Sequence, residues 1–483
     1  METTLFWHDY ETWGTDPSID RPSQFAGVRT DTDLNVLDEP LVIYCKPPPD
    51  ILPHPEACLI TGIAPQKALA EGLPEYQFIA EIHRELSRPG TCGVGYNTLR
   101  FDDEVTRYTL YRNFFDPYER EWRDNCCRWD IIDMVRLTYA LRPQGIDWPV
   151  VDGKPSFKLE NLTAANGISH TAAHDAYADV EATINLARLI KTRQPALYDY
   201  VFNHKSKNAL FGLVDLRRRK PLLHVSSMFP SQQGCSALVV PLALHPTNKN
   251  AVIAYDLSQP PDALIKFDID EVRRRVFTRQ DELEEGEQRI PIKVIHMNKC
   301  PVLVTPKLLS DEAARRLGID KEACERHWHQ LLKVDLTAKL RQLYSAQEFP
   351  ERRDPERQLY AGFVGDADRQ VMASVRAADG NALMEQTFVF EDKRLPEMLF
   401  RYRARNFPDY LTAKEQSYWR EFCRERLQKG DDGCLSLAAM NDRIDDLLQG
   451  DLSREQRQVL NQLRHFGADL FRQADIRPNA CRR

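Results

Sequence analysis

The chain opens on a short apolar run broken by acids. Leu5, Phe6, Trp7 and Tyr10 surround His8, Asp9 and Glu11. On a strand, residues i and i+2 point to the same face, so a strand over 4–11 sets Asp9 and Glu11 side by side. Further strands are expected over 23–30 and 40–46, separated by the turn-rich Gly14-Thr15-Asp16-Pro17 and the polar Asp31-Thr32-Asp33. Short connections between three strands predict an antiparallel start to a mixed sheet. Pro-rich Lys46–Pro55 reads as a loop. A helix follows near 74–88, with Phe78, Ile82 and Leu86 spaced for one face, then a buried strand over 91–96. Helices are expected from about Phe101 to Phe115, over Trp129–Leu141, over Leu159–Asn166, and over 175–193, where Ala176, Val180, Thr183 and Ala187 share one side. Strands followed by strand–helix alternation predict an α/β domain with a central mixed sheet.

Gln194-Pro195 marks a boundary. Beyond it the pattern becomes strand-rich, at Leu222–Val225, Ala237–Leu244, Ala251–Leu257, Arg289–Ile295 and Val302–Thr305, which suggests a small β-barrel with appended helices. After the charged Glu351–Arg357 stretch the pattern is helical. Gln416–Leu427, Ser436–Gln449 and Arg454–Gln473 carry apolar residues at three- and four-residue spacing. The division is therefore 1–195, 196–350 and 351–483, in line with the roughly three domains expected for this length.

Composition narrows the class. Hydrophobic content of 42% and charged content of 28% are ordinary for a globular protein. The net charge of −7 argues weakly against nucleic acid, but its distribution is uneven. Residues 1–195 hold 30 acids against 19 bases, whereas 196–350 hold 23 bases against 19 acids. A cation-holding domain followed by a phosphate-facing one would look like this. The eleven cysteines include no CxxC pair, and Cys126-Cys127 lacks the partners of a zinc site. Reduced thiols in a cytoplasmic protein are expected. No basic leader precedes the first strand, and no apolar run approaches about 18 residues, so neither export nor a membrane span is expected.

The candidate chemistry begins with Asp9 and Glu11. Two carboxylates on one strand face repel unless a cation lies between them, and Mg²⁺ prefers such oxygen ligands. Asp102 or Asp103, at a predicted helix start, adds an acid. The two cannot point the same way on a helix, and an Asp in that position is by itself often a cap. His174 precedes a helix on which Asp179 falls about one turn in. An imidazole there suits proton abstraction from water, although an isolated His before a helix is ordinarily a polar surface residue.

The order of these elements resembles the DEDD family of 3′→5′ exonucleases, in its His-containing subclass (DEDDh). More closely, His8-Asp9-Tyr10-Glu11-Thr12, Gly95-Tyr96-Asn97 with Arg100-Phe101-Asp102-Asp103-Glu104-Val105, His174-Asp175-Ala176 with Ala178-Asp179-Val180, and Tyr402-Arg403-Ala404-Arg405-Asn406-Phe407-Pro408 resemble the bacterial exodeoxyribonuclease I family over nearly the whole chain. The resemblance implies a ribonuclease H-like exonuclease domain, an SH3-like middle domain and an α-helical C-terminal domain. It implies that Asp9, Glu11, Asp102 and Asp179 bind two Mg²⁺ ions, with Mn²⁺ as a substitute, and that His174 is the general base. Glu11 would also touch the terminal 3′-hydroxyl. Lys158 falls where the family tends to have an Arg on the substrate; Lys keeps the charge but loses the bidentate fork. Single-stranded DNA is the implied substrate, degraded processively by a monomer acting in repair and recombination. The acidic C-terminal tail of single-stranded DNA-binding protein is an implied partner, with Arg142 and Tyr200 as positional candidates. The alternatives are an exoribonuclease on the same scaffold and a catalytically silent DNA-binding scaffold. Basic runs at Arg217–Lys220, Arg273–Arg275 and Arg401–Arg405 are candidates for DNA contact, the last also for domain packing.

Overall fold

In the structure, a computed structural model, residues 3–170, 174–345 and 352–475 are described. The chain divides into two compact units. One comprises Met1–Cys127, Thr171–Glu181 and Glu351–Arg483, and the other comprises Arg128–His170 and Ala182–Pro350.

The first unit is built on strands β1 (Thr4–Thr12), β2 (Pro22–Thr30), β3 (Leu41–Tyr44) and β4 (Thr91–Gly95). Their order is β3-β2-β1-β4. β1 pairs with β2 antiparallel and with β4 parallel, giving the expected mixed sheet. Alternation along β1 decides its faces. Phe6 and Tyr10 join Phe25 in a core with Phe78, Ile79, Ile82 and Leu86 of α1 (Glu75–Leu86) and with Val105 and Leu110 of α2 (Asp102–Arg112). The odd-numbered Asp9 and Glu11 therefore point away from that core. The helix α3 (Ala176–Arg193) begins in this unit and carries the chain into the other.

The C-terminal segment folds onto the N-terminal one within the same unit. Its main helices are α4 (Leu395–Asn406), α5 (Ala413–Lys429), α6 (Leu437–Leu448) and α7 (Arg454–Asp475). Leu427, Met440, Ile444, Leu460, Leu463 and Phe466 share one core with Trp13, Leu52, Cys58 and Ile63. Beside it lies a buried ionic cluster. The Asp50 carboxylate, fully buried, accepts from Arg405 at 2.7 Å and from Arg426 at 2.9 Å. Asp354 accepts from Arg401 at 2.9 Å and also pairs with Arg426, and Glu356 pairs with Arg21 and Arg405. Burial would raise the Asp50 pKa, but the adjacent Arg405, Arg426 and Arg21 guanidiniums hold it below the carboxylate range. The arginines of α4 are thus packing groups, and the charged stretch around 354–356 is an anchor.

The second unit contains a five-stranded antiparallel sheet. Its strands are β6 (Leu222–Val225), β7 (Ser236–Leu244), β8 (Ala251–Asp256), β9 (Ile292–His296) and β10 (Val302–Val304), in the order β9-β8-β7-β6-β10. One local expectation is corrected. Trp129 lies in a strand, β5 (Cys127–Asp130), and the helix starts only at Ile132. The Asp130 carboxylate accepts the Ile132 N–H at 3.0 Å, which holds the chain out of helix until that residue. The Pro-rich loop ends at Pro55 as expected, and two short helices that the sequence did not signal follow, Pro55–Thr61 and Pro65–Glu71, each opened by a proline. Proline's fixed φ suits the first helical position. All ten described cysteines are free thiols.

Candidate active site

β1 pairs with β4 only from Thr4 to Trp7, while it continues alongside β2 to Thr12. Asp9 and Glu11 lie on the part of β1 beyond the end of β4, at the open edge left by that strand. Ligands favour such edges at the carboxyl ends of parallel strands. Gly95 closes β4 there. A Cβ at this position would come within 2.8 Å of the His8 carbonyl oxygen and within 2.1 Å of the Thr98 side chain. The missing side chain lets the next turn pack against β1. Asn97, with φ 62°, then reverses the chain into the start of α2.

That turn delivers Asp102 to β1. Its Oδ1 accepts the Tyr10 backbone N–H at 3.1 Å, a donor that β4 no longer reaches. The neighbouring Asp103 points elsewhere and accepts from Arg120 at 2.5 Å, both side chains being buried. Of the two adjacent acids, Asp102 faces the strand that carries Asp9 and Glu11, and Asp103 the structure behind it. His8 is also behind it. Burial, followed by the Arg120 charge, lowers its pKa to about 4, so the ring is neutral.

The remaining two groups come from the head of α3. The Asp179 Oδ2 accepts the His174 backbone N–H at 3.2 Å. One ligand atom each from Glu11, His174 and Asp179 lie within 4.8 Å of one another. The five residues expected from the sequence thus converge: Asp9 feels the charges of Asp102, Glu11 and Asp179. Burial, and then repulsion from Asp179, Asp102 and Asp175, pushes Glu11 up to about 9, and burial and the same neighbours push Asp9 well above the carboxylate range. His174 itself is exposed, with φ 68°.

The other candidates lie in the second unit. Lys158 stands just before the helix Leu159–Ala165, largely exposed, with Nζ 3.7 Å from Glu160. Arg142 follows the helix Ile132–Leu141, and its guanidinium donates to the Leu141 carbonyl at 2.7 Å. The Tyr200 hydroxyl donates to the Leu303 carbonyl at 2.9 Å, and its ring stacks on His204 at 4.1 Å. The basic runs are partly consumed by structure. Arg219 donates to the Leu331 and Val334 carbonyls, and Arg274 and Arg275 pair with Glu271 and Glu287. Gln24 and Asp175, which the sequence motifs did not single out as ligands, border the site: Gln24 sits opposite Glu11 on β2 and donates to Asp175 at 3.1 Å. No local sequence signal pointed to Gln24, which the structure places in a fully buried strand.

Comparison with known proteins supplies a frame for this geometry. A family model described as Exonuclease matches residues 6–187. One described as Exonuclease I SH3-like domain matches residues 205–346, and one described as Exonuclease I C-terminal domain matches residues 353–470. Exodeoxyribonuclease I of Escherichia coli (strain K12) is 48% identical over 428 residues, covering 88% of this chain and 90% of that protein. The structure of a moderately thermophilic exonuclease I from Methylocaldum szegediense is 49% identical with a TM-score of 0.94, covering 97% of this chain and 100% of that one. The zinc-bound form of the E. coli exonuclease I complex with single-stranded DNA is 44% identical with a TM-score of 0.93 over the same shares. The fold is accordingly an exonuclease domain on a mixed sheet, an SH3-like middle domain and a helical C-terminal domain. Among the described residues, no helix is long and apolar enough to cross a membrane.

Proposed function

The chain belongs to the exodeoxyribonuclease I family, and from that premise we propose a Mg²⁺-dependent 3′→5′ exonuclease that degrades single-stranded DNA processively to nucleoside 5′-monophosphates. The observation that carries this reading is the convergence of Glu11, His174 and Asp179 within 4.8 Å, next to Asp9 and the Tyr10-bound Asp102.

The donor set suits a hard divalent cation. Carboxylate oxygens dominate it, and beyond burial the rise of the Glu11 and Asp9 pKa values comes from mutual repulsion that a cation among them would relieve. Asp9, Glu11, Asp102 and Asp179 would hold two Mg²⁺ ions, with Mn²⁺ as a substitute. Ions bound in such sites polarise a phosphoryl oxygen and acidify water. His174 acts as general base. Its exposed imidazole accepts a proton from the attacking water, whose oxygen bonds to the terminal phosphorus as the bond to the preceding 3′-oxygen breaks. A nucleoside 5′-monophosphate leaves, the departing 3′-oxygen takes a proton from solvent to become the new 3′-hydroxyl of the shortened strand, and His174 returns its own proton to solvent. Asp179, bonded to the His174 backbone, holds the base near the acids. Glu11 faces the terminal 3′-hydroxyl, which accounts for attack from an end, and Lys158 supplies a point charge to the strand.

In this reading the domains are 1–195, 196–350 and 351–483, the protein is a cytoplasmic monomer, and its work is in DNA repair and recombination. Arg142 and Tyr200 offer a cation and an aromatic face to the acidic tail of single-stranded DNA-binding protein. The test is digestion of 5′-labelled single-stranded DNA with Mg²⁺, beside the matching duplex and RNA. Progressive shortening of the single-stranded DNA alone, stopped by EDTA, is expected. Shortening of RNA instead would overturn the substrate, and tight binding without cleavage would overturn the enzyme.

A further inference from the structure

We propose that Gln24 is a positioning residue for hydrolysis: its side-chain amide locks the His174-Asp175 turn to the strand facing Glu11, and so acts on the general base without touching substrate. This rests on the assignment of His174 given above.

A helix start carries polar groups that need partners from outside the helix. The first N–H groups of a helix have no partner inside it. At the head of α3, Asp175 meets one need, since its Oδ1 accepts the Ala178 N–H at 3.2 Å as an N-cap. The Ala176 N–H is still unmet, in a residue with no exposed surface. Gln24 supplies the acceptor through Oε1 at 3.3 Å. Its Nε2 donates to the second carboxylate oxygen of Asp175 at 3.1 Å. One planar amide therefore grips both the capping side chain and the first helical N–H, and only one orientation of that amide serves both.

The amide is itself held. Gln24 is 2% exposed, its backbone pairs with Glu11 in the β1–β2 ladder, and Nε2 also approaches the Tyr44 hydroxyl at 3.3 Å. That hydroxyl accepts from Lys67 at 2.7 Å. The line Lys67–Tyr44–Gln24–Asp175 thus runs from the sheet into the turn. His174 is the next residue, and its left-handed backbone, φ 68°, is one that a β-carbon-bearing side chain seldom adopts. Such a conformation persists only where its surroundings impose it. Gln24 and Asp179 impose it from two sides. A bulk structural role would be satisfied by any group that fills the same space, whereas this role requires a donor and an acceptor in fixed positions.

The experiment is a double-mutant cycle on the full chain with Mg²⁺ and 5′-labelled single-stranded DNA, comparing Gln24→Ala, His174→Ala and the pair. Gln24→Ala is expected to lower kcat by about 10²-fold, the effect of a small misplacement of a reacting group, with KM unchanged. On the His174→Ala background the same substitution should do nothing further, because residues acting as a unit are not additive. Gln24→Met keeps the length and approximate volume of the side chain but offers neither the acceptor for Ala176 nor the donor to Asp175. It should be as slow as Gln24→Ala, and it carries the comparison if the alanine variant does not fold. Equal losses on both backgrounds, or wild-type kcat in Gln24→Met, would overturn the proposal while leaving His174 as the base. Wild-type kcat in His174→Ala would instead overturn the assignment of the base.

Discussion

Asp102, the first residue of α2, accepts the backbone N–H of Tyr10 at 3.1 Å, so the acid at the head of the helix is bonded to the strand residue lying between Asp9 and Glu11. The bond serves two ends at once. It satisfies a buried strand donor that β4 has stopped short of, and it fixes one carboxylate against the other two.

The two roles separate by substitution. Asp102→Ala removes an acid and leaves the Tyr10 N–H without a partner, which costs about 1–3 kcal/mol of stability. Asp102→Asn keeps an acceptor at the same place, so it should unfold in urea near the wild-type midpoint. Both variants should lose exonuclease activity, since both lose the charge. An active Asp102→Asn enzyme would remove Asp102 from the metal-binding set.

The acid cluster makes a distinct prediction for pH. Glu11 is pushed up to about 9 by burial and neighbouring carboxylates, from an ordinary value of about 4.3 in an unfolded chain. A carboxyl whose folded pKa is raised binds more protons folded than unfolded across that window. Its contribution is therefore full below the unfolded value and is lost as pH rises toward 9. In EDTA the melting temperature should fall over this window, and Mg²⁺ should flatten the fall by offsetting the charge. Glu11→Gln should flatten it without metal. A metal-free melting temperature that rises through the same window would refute the coupling.

The parts of this fold that were legible in the sequence are those encoded locally. Alternation placed β1 and the shared face of Asp9 and Glu11, and apolar spacing placed α1 and α5 to α7 within a few residues. Trp129 misled because four residues, Cys127–Asp130, are too few to show a period, and the apolar helix that follows drew them in. The proline-led helices of seven residues were not foreseen for the same reason. Long-range polar pairing was not legible at all. Asp354 and Glu356 read only as part of the charged Glu351–Arg357 stretch, and only the fold brings Arg21, Arg401, Arg405 and Arg426 around them. Gln24 is bonded to a residue 151 positions away, beyond any motif. The site residues were visible because their types and order, rather than their contacts, resemble a family.

His174 tests the chemistry of the site. His174→Ala removes the imidazole but keeps the backbone N–H that Asp179 accepts, so the acids should stay in place. Hydrolysis should slow by about 10²–10⁴-fold, the usual contribution of general-base catalysis, while Mg²⁺ still raises the melting temperature. Single-turnover cleavage and a metal titration followed by thermal melting measure the two effects separately. Loss of the metal response together with activity would make His174 a ligand first and a base second.

The buried ionic cluster predicts where the fold is most fragile. Asp50 receives both Arg405 and Arg426, from helices α4 and α5. Removing one partner of a buried pair leaves uncompensated charge and costs about 3–5 kcal/mol, far more than losing a surface pair. Asp50→Ala leaves Arg405 with Glu356 and Arg426 with Asp354, but it takes one negative charge from a cluster with almost no exposure, so it should lower the urea midpoint markedly. Arg424→Ala, which breaks the surface pair with Glu421 on the same helix, should hardly move it. If the α4 arginines are packing groups, Asp50→Ala should also leave the affinity of the folded protein for single-stranded DNA unchanged at low temperature, as read by fluorescence anisotropy in EDTA. A weakened affinity with an unchanged urea midpoint would reverse the assignment and place Arg405 on the DNA.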